Sequence, residues 1–170
     1  KILEEPNENI FFILIHDSNK NILRTIKSRC LSFKINHDFE TNIMIANKLI
    51  ENDIMQLLNN DLINYYSTAG EYINLINFSI KNKIDIKNNN LNNFLKILIN
   101  ENNFKKDPFI NLYIYNYIEL YFLKIFNKPN YKDKIYLLYS MFIKKINHTK
   151  KFNLDVESLF MEFKSKILNG

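Results

Sequence analysis

The sequence is poor in glycine, proline and cysteine, and it contains no tryptophan. Its 170 residues include 2 Gly, 3 Pro and 1 Cys. Two glycines cannot supply the tight turns of a many-stranded barrel or sandwich, so those folds are disfavoured. The single cysteine, Cys30, excludes an internal disulfide framework and a cysteine-based zinc cage. With 46% apolar residues, the composition favours a helical globular protein over a disordered one.

The sequence also lacks the common motifs of metal and nucleotide sites. His16, His37 and His148 are scattered without an HExxH pattern, and neither a GxxxxGKS/T nor a GxGxxG string is present. The longest apolar run, Ile10–Ile15, is far shorter than a membrane span, and no signal-peptide pattern opens the chain. We therefore expect a soluble, cytoplasmic protein with no metal and no bound cofactor of its own.

Arginine is rare although the chain is basic. The net charge is +5, with 29 Asn, 27 Ile and 21 Lys, an excess typical of drift in an AT-rich genome. The only two arginines, Arg24 and Arg29, lie within six residues of each other. Lysine does not replace arginine where a planar, permanently charged group must meet a carboxylate or phosphate. A functional contact and a structural salt bridge, or chance, explain this pair about equally well.

Residues 1–35 are interpreted as the end of a larger α/β domain. Ile10–Ile15 is a continuous apolar run of strand length, as in a strand buried on both faces of a parallel sheet. Leu31–Ile35 is a second candidate strand, and Asn21–Lys27 between them is predicted to be a short helix. A buried strand needs neighbours, and this sequence does not contain them, so we expect the chain to be the C-terminal portion of a longer protein.

From residue 36 the apolar residues recur at helical spacing, which predicts a small helical domain over 36–82. Its predicted helices are Phe39–Ile50, Ile54–Leu58, Leu62–Tyr66 and Glu71–Ile80. Leu49 and Ile80 are among the side chains expected to face the core. Gly70, in the break before the last of these helices, is expected to supply backbone freedom to a turn.

The polar, low-complexity segment Lys81–Asn90 is predicted to be a boundary loop, followed by a helical bundle over residues 83–170. The predicted helices of this bundle are Leu91–Asn102, Pro108–Phe126, Lys132–Ile146 and Val156–Leu168. Because Pro108–Phe126 carries apolar side chains on more than one face, it is expected to be central or to form an interface. Asp155 is predicted to cap the last helix.

The first thirty residues resemble a known family. Leu3-Glu4-Glu5-Pro6, the apolar run Ile10–Ile15, the turn His16–Asn19 and Ser28-Arg29-Cys30 resemble the end of the nucleotide-binding domain of bacterial clamp-loader AAA+ subunits. In that family L-E-E-P leads into a strand and the sensor-1 turn, and a short helix ends in S-R-C. The resemblance implies a mainly α fold for this chain: a remnant of an AAA+ α/β domain, a helical lid and a C-terminal helical collar.

Within that family, the delta prime branch of DNA polymerase III subunits is the more similar. ATP-hydrolysing subunits carry an arginine in the sensor-2 turn, whereas this chain has Ser67-Thr68-Ala69-Gly70 there, with Gly70 at the position of the arginine. The chain also departs from the family pattern: Asn7 replaces a second proline, and His16 stands near the usual sensor-1 threonine. These departures suit a subunit that does not hydrolyse ATP itself.

The resemblance implies a role for the S-R-C segment. Arg29 would be a trans-acting arginine finger that reaches the ATP held by a neighbouring subunit, with Ser28 and Cys30 supporting the loop. Arg24 could form a salt bridge or phosphate contact at the same interface, although a plain surface charge is the favoured interpretation. The implied partners are the other subunits of a hetero-oligomeric ring and, through the assembly, the sliding clamp and primed DNA. No independent catalysis is expected, only a part in the DNA polymerase III holoenzyme.

Two other functions remain open at this point. An ATP-hydrolysing clamp-loader subunit would share the same string of residues. A helical protein-interaction module without any link to replication would share the helical pattern that follows it.

Overall fold

The structure, a computed structural model, describes residues 9–16, 21–126 and 132–169, without the side chains of residues 132–134. Within these residues every regular element is a helix, so the predicted mainly α fold is confirmed. The chain divides into two compact units, Lys1–Asn36 and His37–Gly170. The α-helices are α1 Arg24–Lys27, α2 Phe39–Ile50, α3 Ile54–Leu57, α4 Ala69–Asn82, α5 Leu91–Asn100, α6 Asn103–Lys106, α7 Pro108–Phe126, α8 Lys132–Phe152 and α9 Val156–Phe163.

The first unit contains one turn of helix, α1, in its described part, so the helix predicted over Asn21–Lys27 is confirmed in a shortened form. The two predicted strands, Ile10–Ile15 and Leu31–Ile35, are wrong for this structure, since both segments are irregular and their side chains are exposed. Phe11 is 93% and Ile15 97% exposed. A strand is held by hydrogen bonds to a neighbour, and no described residue offers one, so the backbone groups face water.

Several helices of the second unit begin at a side-chain cap. The Asp38 carboxylate accepts a hydrogen bond from the backbone N–H of Thr41 at 2.8 Å, and the Thr68 hydroxyl accepts one from Glu71 at 3.3 Å. Asp155 accepts from the N–H groups of Glu157 and Ser158, which confirms the predicted cap of α9. Short polar side chains at these positions satisfy N–H groups that have no partner inside the helix.

The core of the second unit lies around α7, which packs against α4, α5, α6 and α8. Buried side chains lie on several faces of α7, among them Ile114, Tyr117 and Phe122, and this confirms its predicted central place. The rings of Phe122, Phe142 and Phe163 meet with centroids 5.5 to 6.3 Å apart. Interlocked aromatic rings at such distances hold three helices in one arrangement.

Three details of the helical prediction are wrong. The helix predicted over Leu62–Tyr66 is a 3₁₀ turn, Asn60–Leu62, because the Asn59 and Asn64 side chains accept local backbone hydrogen bonds that compete with a helix. Gly70 lies in the first turn of α4 with an ordinary negative φ, and a Cβ there would meet only the Thr68 hydroxyl at 4.0 Å. Leu49 and Ile80 are exposed, and both lie near the C-terminal ends of their helices, α2 and α4.

The predicted loop Lys81–Asn90 contributes to the core as well as connecting helices. Helix α4 runs to Asn82, and the loop after it buries Ile86. The Ile86 carbonyl accepts a hydrogen bond from the N–H of Asn59 at 2.9 Å, which ties the loop to residues earlier in the chain. The division into residues 1–35, 36–82 and 83–170 stays a prediction.

Beyond α7, two helices differ in length from the sequence prediction. Helix α8 continues past Ile146 to Phe152, and α9 passes into a π-helical turn, Lys164–Leu168. In the described parts of the chain no helix combines the length and the hydropathy that crossing a bilayer requires.

Candidate functional site

The candidate site is the segment that ends α1 in the first unit. Ser28 is the C-cap of α1, and its hydroxyl donates to the Thr25 carbonyl at 3.1 Å. The Arg29 guanidinium donates to the same carbonyl from Nη1 at 3.0 Å, and the Arg29 backbone N–H donates to Ile26. The last carbonyls of a helix have no partner within the helix, so this turn gives them side-chain donors.

Arg29 is exposed to solvent, although its side chain folds back over the end of α1. A guanidinium has five N–H donors in a planar fork. Such a group on a surface can contact a carboxylate or a phosphate in two-point geometry. The exposed position is one that an interface arginine requires.

The other predicted site residues lie in the same short stretch. Ser28 is exposed and Cys30 is half-buried, and together they flank Arg29. Arg24, the first residue of α1, is exposed, and its carbonyl accepts the N–H of Ser28 at 2.9 Å. The structure thus brings Ser28, Arg29 and Cys30 to one turn, with Arg24 at the opposite end of α1. The individual roles of these four residues stay predictions.

The turn lies in a segment of purely positive charge, which no sequence motif indicates. Residues 18–37 contain no Asp or Glu and carry five cationic side chains. These are Lys20, Arg24, Lys27, Arg29 and Lys34. The sequence shows this feature as a stretch without acidic residues. The net charge of the whole chain does not reveal it, because acidic residues elsewhere offset the lysines and arginines. A segment of one sign of charge raises the local concentration of anionic ligands.

Parts of the family-like string lie outside the described residues. Leu3-Glu4-Glu5-Pro6, Asn7 and residues 17–20 of the predicted sensor-1 turn belong to that part of the chain. His16 is described, and it is exposed on irregular backbone.

In the second unit, a cavity of about 480 Å³ lies between α6 and the start of α9. Phe104, Val156 and Phe160 form its apolar wall, and Lys105 and Glu157 form an ion pair at its rim. Across the described ranges, no three His, Cys, Asp or Glu side chains come close enough together to hold a metal ion.

The comparisons with known proteins concern the first unit. Residues 1–39 match the family described as "DNA polymerase III, delta subunit". No curated protein and no solved structure matches the chain. The matched residues contain the S-R-C turn and all of α1, and they end where α2 begins. The match supports a DNA polymerase III clamp-loader-type family for this segment.

Proposed function

We propose that the chain belongs to a delta prime-type subunit of the DNA polymerase III clamp loader, and that Arg29 acts in trans on the ATP of a neighbouring subunit. The observation that carries the proposal is the match of residues 1–39, which include Ser28-Arg29-Cys30 at the end of a short helix. The proposed partners are the other loader subunits, with the sliding clamp and primed DNA bound through the assembly.

The chemistry of the proposed step needs a permanent, forked cation. When a γ-phosphoryl group is transferred, negative charge develops on its oxygens, and a guanidinium placed there stabilises that charge. The Arg29 guanidinium donates to the Thr25 carbonyl at an exposed site. Hydrogen bonds from a cation to an anion are shorter than those to a neutral carbonyl and roughly twice as strong, so a phosphate is a strong acceptor for a guanidinium.

The delta prime assignment is supported by the start of α4. The resemblance aligns Gly70 with the sensor-2 arginine of ATP-hydrolysing subunits, and Gly70 lies in the first turn of this helix. Glycine brings no charge to a nucleotide, so a subunit of this kind depends on its neighbours for hydrolysis. The remaining helices of the second unit would pack against other subunits as a collar.

The test is the substitution Arg29→Lys in the loader assembled from its full-length subunits. Lysine keeps the charge and removes the fork, so hydrolysis at the site that Arg29 serves should slow by about 10³-fold or more. Single-turnover hydrolysis, stimulated by DNA and clamp, should lose the phase that belongs to one ATP site, while the other sites retain theirs.

The matched control is Arg24→Lys, which makes the same chemical change five residues away. Because lysine keeps the charge of Arg24, this variant should slow hydrolysis far less than Arg29→Lys does. Gel filtration of both variants checks that the ring still assembles. If Arg29→Lys forms intact rings whose stimulated ATPase is unchanged, the finger assignment is wrong.

A further inference from the structure

One face of α8 is basic, aromatic and exposed towards its C-terminal end. Lys144, His148 and Lys151 recur at spacings of four and three residues, which places them on one side of the helix. All three are exposed, and Phe152 beside them is 59% exposed. We call these four residues the α8 basic face.

The charge of this face is not balanced by nearby sequence. Residues 134–154 contain five lysines and His148 but no Asp or Glu, although the chain has 18 acidic residues in 170. Two of the α8 lysines are engaged elsewhere: Lys145 pairs with Glu162 at 2.6 Å, and Lys150 lies 4.2 Å from the ring centroid of Tyr115. No described carboxylate lies within 4.0 Å of Lys144 or Lys151.

The acidic residues that follow α8 in the chain already form hydrogen bonds or ion pairs with other residues. Asp155 accepts hydrogen bonds from Ser158 and Glu157 at the start of α9. Glu157 pairs with Lys105, and Glu162 pairs with Lys166 as well as with Lys145. Their charge is therefore offset locally, and the α8 basic face keeps a positive potential.

The aromatic ring of this face lies between the ammonium group of Lys151 and the imidazole ring of His148. The His148 and Phe152 rings meet edge to face with centroids 5.8 Å apart, and Lys151 Nζ lies 5.3 Å from the Phe152 centroid. These contacts restrain the ring while more than half of the side chain stays exposed to solvent. An exposed ring next to lysines provides the two contacts that single-stranded nucleic acid uses, stacking under a base and pairing with phosphates.

The geometry points to single-stranded nucleic acid as the ligand of the α8 basic face. Phe152 would stack on a base. Lys144 and Lys151 would contact phosphates of the same strand. Lys144 and Lys151 are two helical turns apart, roughly 10 Å along the axis, which spans a few nucleotides of one strand. A duplex keeps its base faces stacked inside, so it would leave the Phe152 ring without a partner. This inference does not depend on Arg29 or on a role in a clamp loader.

The experiment measures fluorescence anisotropy of a labelled 20-nucleotide oligo-dT as the 170-residue chain is added, over a series of salt concentrations. Substitution of Lys144 and Lys151 together by Gln should remove two phosphate contacts. For single strands, log K falls with log salt by about 0.7 per contact, so the slope should become shallower by about 1.4. The matched double variant Lys48→Gln with Lys87→Gln removes two exposed lysines elsewhere and should keep the original slope.

A second pair of variants tests the stacking contact. Phe152→Ala should weaken oligo-dT binding by about fivefold or more and leave heparin binding unchanged, since heparin has charge but no bases. The control is Tyr136→Ala, which removes another exposed aromatic ring from α8 and should leave both affinities unchanged. All substituted side chains are exposed, and circular dichroism checks that each variant keeps its helices.

Three results would each overturn the inference. One is oligo-dT binding that does not saturate. Another is an equal change of slope in the two double-lysine variants. The third is a loss in Phe152→Ala that is the same for heparin as for oligo-dT, which would reveal a general polyanion surface.

Discussion

The two units use apolar side chains in opposite ways. In the first unit, the aromatic and aliphatic residues of Ile10–Ile15 and Leu31–Ile35 face solvent. In the second, Phe122, Phe142 and Phe163 are buried and meet ring against ring. Similar residue types therefore stabilise one unit and contribute little burial to the other. A run of apolar residues in sequence predicts burial only where other elements are present to cover it.

The family match and the buried core also lie in different units. The residues that match a known family, 1–39, lie almost wholly in the unit with little buried surface. The family match ends at residue 39 and so leaves out nearly all of the second unit, which contains the buried core of the described residues. A core can exchange one apolar side chain for another of similar size at modest cost, so a buried core by itself leaves the sequence free to vary.

The largest expected difference between the units is the loss of unfolding free energy when a core side chain is truncated. Phe163→Ala removes a fully buried ring that contacts Tyr121, Phe122 and Phe142. It should lower the free energy of unfolding by about 3–5 kcal/mol, because it loses apolar burial and leaves a cavity. Urea unfolding followed by circular dichroism at 222 nm measures this change.

The matched control is Phe11→Ala, the same substitution at an exposed ring of the first unit. It should change the unfolding free energy by less than about 0.5 kcal/mol. Comparable losses in the two variants would show that the first unit buries Phe11 in solution and that the contrast between the units is false.

Much of the second unit could be predicted from sequence because its signals are local. The bounds of α7, Pro108–Phe126, and the cap Asp155 follow from apolar spacing and from a short acidic side chain before a helix. Features that depend on distant residues could not be predicted this way. The loop residue Ile86 is buried, and its carbonyl accepts a hydrogen bond from Asn59, far earlier in the chain; no local pattern indicates this.

The candidate site could be predicted only in part. The rarity of arginine and the S-R-C string singled out Arg29 from sequence. Its bond to the Thr25 carbonyl follows from the path of the backbone after Lys27, which composition and periodicity do not determine. The two strand predictions were wrong for a related reason: hydrogen-bonded neighbours, which residue type does not supply, decide whether an apolar run forms a strand.

A smaller loss of stability is expected when a tyrosine hydrogen bond of the second unit is removed. The buried Tyr72 hydroxyl donates to the Asn64 carbonyl at 2.6 Å. Tyr72→Phe removes this bond and should cost about 1 kcal/mol of unfolding free energy at pH 7. Tyr66→Phe, at an exposed ring, is the control and should cost nothing measurable. A similar loss in both variants would contradict the assigned hydrogen bond.

The pH dependence of Tyr72 gives the same comparison a second test. Burial, with a contribution from the Glu71 charge, raises the pKa of Tyr72 from 10.0 to about 12. Since the folded state holds the proton more tightly, this stabilisation is complete below pH 10 and is lost as the pH rises through 12. The stability difference between the native chain and Tyr72→Phe should therefore shrink between pH 10 and 12. All ten tyrosines lie outside residues 1–36, so tyrosine ionisation should destabilise the second unit only.

The smallest expected effect concerns helix caps. The N-cap of α1 in the first unit is Leu23, which makes no side-chain cap, whereas the N-cap of α9 in the second unit is Asp155. The Ser158 side chain and backbone, the Glu157 N–H and the charge of Lys105 lower the pKa of the Asp155 carboxyl below 3.8. A lowered pKa means that the ionised cap stabilises the fold above pH 3.8 and that this contribution is lost as the pH falls through the folded value.

Asp155→Asn isolates that charge, because asparagine caps a helix about as well as aspartate. The variant should melt a few degrees lower than the native chain at pH 7 and by a smaller margin at pH 2, because the charge of Asp155 is lost as the pH falls through its lowered pKa. Glu51→Gln, an exposed acidic residue at the end of α2, serves as the control and should melt like the native chain at pH 7. A melting difference for Asp155→Asn that is equal at both pH values would mean that the cap acts through its shape and not through its charge.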